Sequence, residues 1–80
     1  MSDDTKKQSE QLTGISNIAY DLMIVLSNKL EGIAAMEEYR QDAQEAGDID
    51  CSSLFDRLQQ QDRQAVDELR THLLKHLQQS

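Results

Sequence analysis

At 80 residues the chain is one small domain or half of an assembled one, with no room for a doubly wound sheet or a barrel. Its 15 acidic residues against 8 lysines and arginines give a net charge of −7, which excludes a basic nucleic-acid footprint as a default. With 3 glycines, no proline, no tryptophan and 38% hydrophobic residues, it is short of strand formers and turn residues and reads as all-helical.

The chain opens Met1-Ser2-Asp3-Asp4-Thr5-Lys6-Lys7-Gln8 with no apolar run behind it, so neither a secretory signal nor a transit peptide is expected. The longest apolar run, Leu22 to Leu26, is far below the roughly 18 residues of a membrane span. A cytoplasmic protein is the expectation. Residues 1–13 are polar, without apolar periodicity, and are expected to be a disordered arm. The single cysteine, Cys51, cannot make an intramolecular disulfide.

From residue 15 the apolar groups Ile15, Ile18, Ala19, Leu22, Val25, Leu26, Leu30, Ile33, Met36 and Tyr39 recur at three- and four-residue steps, predicting a helix over about 15–46 with Thr13 or Ser16 as its cap. Gly47 is expected to end it, because glycine accepts the left-handed conformation of a helix C-terminal cap. Residues 47–53 then read as a turn whose Asp and Ser residues suit an N-cap. A second helix is predicted over about 54–77 from the spacing of Leu54, Phe55, Leu58, Ala65, Val66, Leu69, Leu73 and Leu77.

Two long helices joined by a turn run antiparallel, and a turn centred near residue 50 puts residues whose numbers sum to about 100 at one height. Leu26 is then expected opposite Leu73 or Leu74, and Leu30 opposite Leu69. Each helix has one apolar stripe, and a chain this small buries only about 60% of its unfolded surface even when compact. The prediction is therefore a hairpin that dimerises, through a two-fold axis, into a four-helix bundle.

Lys29, Glu37 and Arg40 interrupt the stripe of the first helix and Asp62 that of the second. The expected register puts Glu37 and Asp62 together, with Arg40 one turn from Glu37. One reading is an ion network of Glu37, Arg40 and Asp62 that sets the register of the hairpin. The other is a carboxylate-rich cation site suited to iron or manganese, with Glu37 and Asp62 as ligands. His72 and His76, four apart on one face, form an i, i+4 pair that can add to a metal site but is too small to make one. Ile24, Leu74 and Tyr39 are candidate interface residues, the first two lying off the stripes and Tyr39 packing on a partner hairpin. No catalytic triad, phosphate loop or C-x-x-C motif is present, so no catalytic residue is assigned.

The run Leu30-Glu31-Gly32-Ile33-Ala34-Ala35-Met36-Glu37-Glu38-Tyr39-Arg40-Gln41-Asp42-Ala43 through Gly47-Asp48, followed by Leu58-Gln59-Gln60-Gln61-Asp62-Arg63-Gln64-Ala65, resembles a ferritin-like helical hairpin. It is similar to the short two-helix ferritin-like proteins of bacteria, such as encapsulated ferritins, which form four-helix units by dimerising. In the metal-binding members a Glu of the first helix combines with a Glu-x-x-His pair of the second. Here Ala34 is nearest that first position, with Glu37 one turn on, and the second motif reads Asp62-Arg63-Gln64-Ala65. The resemblance therefore implies the fold and the dimerising habit more than the di-iron centre.

Two functions follow as expectations. The first is a noncatalytic helical interaction or assembly-accessory protein, a homodimeric bundle whose acidic surface suits a protein partner and neither nucleic acid nor membrane. The second is a ferritin-like iron or manganese protein with ferroxidase-like activity, its site at the dimer seam.

Overall fold

A computed structural model gives the fold and describes residues 8 and 10–79. Two long helices, α1 (Asn17–Glu45) and α2 (Ile49–Gln79), pack against each other as a hairpin, and no strand occurs among the described residues. Most of the arm assigned to residues 1–13 lies outside the described residues. Of the rest, residues 10–13 are helical and end at Gly14, whose φ of 72° and N–H donated to the Glu10 carbonyl turn the chain toward α1.

Ser16 starts α1. Its backbone is extended and its hydroxyl accepts the Ala19 N–H at 3.1 Å, while the Glu10 carboxylate accepts the Asn17 N–H at 3.0 Å. Two otherwise orphaned donors are thus satisfied, and a negative charge sits at the positive end of the helix dipole.

The other end of α1 closes as a Schellman motif. The Asp48 N–H reaches the Ala43 carbonyl at 2.9 Å, the Gly47 N–H reaches the Gln44 carbonyl at 3.0 Å, and Gly47 has φ 75°. Asp48 also begins α2, its Oδ1 accepting the Cys51 N–H at 3.0 Å and its carbonyl accepting the Ser52 N–H. One residue therefore serves both helices. This shortens the connection to residues 46–48, against the predicted turn of 47–53, and starts α2 at Ile49 instead of about 54.

The tighter turn moves the register. Lys29 meets Asp62, Ile33 meets Gln59, and the rings of Tyr39 and Phe55 lie 6.1 Å apart, so facing residue numbers sum to the low nineties. Leu26 accordingly stands near the height of Val66, not of Leu73 or Leu74. At Gly32 a Cβ would lie 3.9 Å from the Asp62 carboxylate, so the two helices approach closely there.

The seam of α2 follows a heptad, with Ser52, Phe55, Gln59, Asp62, Val66, Leu69, Leu73 and His76 all buried or half-buried. α1 presents Ala19, Leu22, Leu26, Lys29, Ile33, Met36, Arg40 and Ala43 to it. The hairpin measures 54 × 23 × 15 Å, with a radius of gyration of 17.4 Å, where a compact chain of this length has about 12 Å. Burial is correspondingly thin. Ala19 and Ala43 are the buried hydrophobic residues among those described, and Ser52 and Gln59 the buried polar ones.

Candidate functional site

Polar side chains of the seam resolve into two separate clusters. In the first, Lys29 donates to Asp62 Oδ1 at 3.2 Å across the helices. In the second, Arg40 grips Glu37 with both nitrogens, Nε donating to Oε2 at 3.1 Å and Nη2 to Oε1. Gln59, 4% exposed, donates through Nε2 to the Ile33 carbonyl at 3.0 Å and to Glu37 Oε2 at 3.4 Å, and Gln41 adds a bond to Glu37 Oε1.

The proposed network of Glu37, Arg40 and Asp62 is therefore divided. Glu37 and Arg40 pair along α1 at i, i+3, while Asp62 sits about two turns away on Lys29, because the register is shorter than the sequence implies. Gln59 occupies the place expected for Asp62. The bidentate hydrogen bond from Arg40, foremost, together with those from Gln59 and Gln41, lowers the Glu37 carboxyl from its ordinary 4.5 to about 2. Arg40 is raised in turn by its bond to Glu37 and holds its charge.

Of the four candidate metal ligands, Glu37 and Asp62 each already have a cation, and His72 and His76 lie in the last turns of α2. His76 lines a shallow groove with Glu10, Ser16 and Gln79 at the open end of the hairpin, and His72 is exposed. Among the described residues no three His, Cys, Asp or Glu side chains gather closely enough to hold a metal ion. At the opposite end, the Asp48 carboxylate accepts from Cys51 and raises its thiol, which keeps the sulfur protonated and a poor nucleophile.

The three interface candidates are all half exposed: Tyr39 at 50%, Ile24 at 46% and Leu74 at 59%. They do not share one surface. Ile24 is five residues from buried Ala19, about 140° round α1 at 100° per residue. Leu74 borders a groove of Asp67, Arg70, Leu73 and Leu77, whereas Tyr39 lines one with Ala43, Ala46, Cys51 and Phe55.

The Tyr39 groove ties two strips of side chains to one face. On α1, Ile18, Val25, Gly32 and Tyr39 recur every seven residues beside the seam; on α2, Cys51, Leu58, Ala65 and His72 do the same. The opposite face carries Glu37, Arg40 and Gln41, with Asp56 acting electrostatically on Arg40 and accepting a hydrogen bond from Gln60. Near the turn the hairpin thus has one apolar and one polar side.

Two contributors escape the sequence reading, Gln59 and the Lys29–Asp62 pair. The signal for both is the seven-residue repeat of α2, which runs from Ser52 through Gln59 to Val66 and puts a polar glutamine at a seam position.

No family model, no curated protein and no solved structure matches the chain. No helix among the described residues is long and apolar enough to cross a membrane.

Proposed function

We propose that the protein is a noncatalytic helical interaction module that works as a homodimeric four-helix bundle. One observation carries this reading: the hairpin leaves its large apolar side chains at its surface. The accessible area is 6116 Å² for a 9.1 kDa chain, where a compact monomer of that mass exposes about 4,900 Å². Ile18, Val25, Leu30 and Tyr39 on α1 each remain 45% or more exposed, and burying a side chain of that kind fully contributes about 1.5–3 kcal/mol.

Metal binding is less well supported than assembly, since the candidate ligands fall into two closed ion pairs and a distant histidine pair. The ferritin-like resemblance enters this proposal only through its dimerising habit. The test is molar mass by light scattering across a dilution series, with far-UV circular dichroism on the same samples. A dimer that loses helicity as it dissociates supports the reading. A helical monomer at every concentration overturns it.

A further inference from the structure

We infer that the second copy docks antiparallel, on the face formed by Ile18, Val25, Tyr39 and Leu58, so that each acidic turn lies beside its partner's open end. The inference rests on the homodimer reading and adds its face and direction.

The face is the apolar side of the hairpin. Its α1 strip is large at both ends, with Ile18 and Val25 toward the open end and Tyr39 toward the turn. On α2 the strip carries Leu58 next to Phe55, which stacks obliquely on Tyr39 with a 54° tilt. At mid-height it narrows to Gly32 and Ala65, beside the Lys29–Asp62 pair, where close approach of a second backbone meets least bulk. The opposite side is occupied near the turn by the satisfied Glu37, Arg40 and Gln59 cluster, which a docked helix would desolvate.

Direction comes from the distribution of charge. Residues 37–57, around the turn, hold seven acidic groups and two arginines, a net of −5. At the open end, residues 10–28 and 63–79 hold four acidic groups against Arg63, Arg70 and Lys75, a net of −1. A parallel pair sets −5 beside −5. An antiparallel pair sets −5 beside −1 at both ends, and taken over both ends as products of the facing charges the repulsion falls about 2.6-fold. It also superimposes the two Lys29–Asp62 pairs near the dyad, where each lysine meets a carboxylate of either chain.

The experiment places a spin label at Glu45→Cys, in a Cys51→Ser background, and measures molar mass and label separation on one sample. Residue 45 is exposed in the last turn of α1, about 16 residues or 24 Å from the Lys29 height at 1.5 Å per residue, so antiparallel labels lie about 48 Å apart along the axis. Parallel docking leaves only the width of the bundle, well under that. A dimer with the long separation is the expected result; a dimer with the short one overturns the direction but leaves the dimer standing, and a monomer overturns both. The face is tested separately. Val25→Glu is expected to halve the molar mass, and Ile24→Glu, on the far side of α1, to leave it unchanged. The reverse pattern overturns the assigned face. Helicity of both variants is recorded, and should either fail to fold, Tyr39→Glu serves as the same test from the other end of the strip.

Discussion

Gly47 sets the length of the connection, so replacing it tests the register on which the rest depends. Its φ of 75° lies in the left-handed region, which an L residue reaches at a cost of about 1–2 kcal/mol. A Cβ built there meets nothing within 4 Å, so no clash adds to that cost. Gly47→Ala should therefore destabilise by about 1–2 kcal/mol, which lowers the midpoint by roughly 4–16 °C at 4–8 °C per kcal/mol for a domain of this size. Thermal unfolding followed by circular dichroism at fixed protein concentration is the assay, since dimerisation makes the midpoint concentration-dependent. Gly14→Ala is the internal control. Gly14 has nearly the same φ, 72°, and the same open surroundings, yet it joins only the 10–13 helical turn to α1. It should cost the hairpin little. Gly47→Asn should fall between wild type and Ala, because asparagine tolerates the left-handed region better. Equal midpoints for Gly47→Ala and wild type, or equal losses at the two glycines, would falsify the argument that this closure holds the two helices in register.

Three further perturbations address the seam. Glu37 has a lowered folded carboxyl, so its stabilising contribution is fully present above 4.5 and is lost as pH falls toward about 2; acid unfolding of Glu37→Gln should be flatter than wild type across that window, and parallel curves would refute the pairing with Arg40. Lys29→Met leaves Asp62, whose side chain is 20% exposed, without its cation and should cost about 1–3 kcal/mol. Adding Asp62→Leu should restore the midpoint to wild type or above, since two apolar groups replace a desolvated pair; a double variant no more stable than the single one counts against this. Gln59→Ala empties a buried position and should cost about 2 kcal/mol, whereas Gln59→Leu, which keeps the volume, should melt within a few degrees of wild type; a Leu variant as unstable as Ala would show that the hydrogen bonds to Ile33 and Glu37, and not the volume, matter.

Much of the fold is legible in the chain. The three- and four-residue spacing of Leu22, Leu26, Ile33 and Met36 requires a helix, and Gly47 marks its end correctly because only the backbone conformation at that residue decides the matter. The start of α2 is less legible. Asp48, Asp50, Ser52 and Ser53 all have side chains able to cap a helix, and the choice falls to Asp48 because the Schellman closure already brings its backbone over the end of α1. Capping propensity ranks these residues nearly alike; the geometry left by the preceding helix separates them. Cys51, Ser52 and Ser53 thus become first-turn residues of α2, and Ser52 is buried against α1.

That displacement of a few residues decides what the polar seam does. With the turn centred near residue 50, Glu37 and Asp62 share a height, and two carboxylates compete for one guanidinium, an arrangement that invites a cation. With the turn closed over residues 46–48, Asp62 reaches Lys29, Glu37 keeps Arg40, and the buried Gln59 amide sits between the two pairs. Each carboxylate then has one cation. A slip of one turn toward the longer register would part Asp62 from Lys29 and bring it toward Glu37, exchanging an attraction for a repulsion, whereas the leucine and valine contacts of the same seam are non-directional and tolerate such a slip at lower cost. The polar positions therefore supply what an apolar stripe of this length cannot, a single alignment of the two helices. That alignment in turn puts Tyr39 beside Phe55 and Gly32 beside Asp62, and so builds the apolar face to which the second copy is assigned.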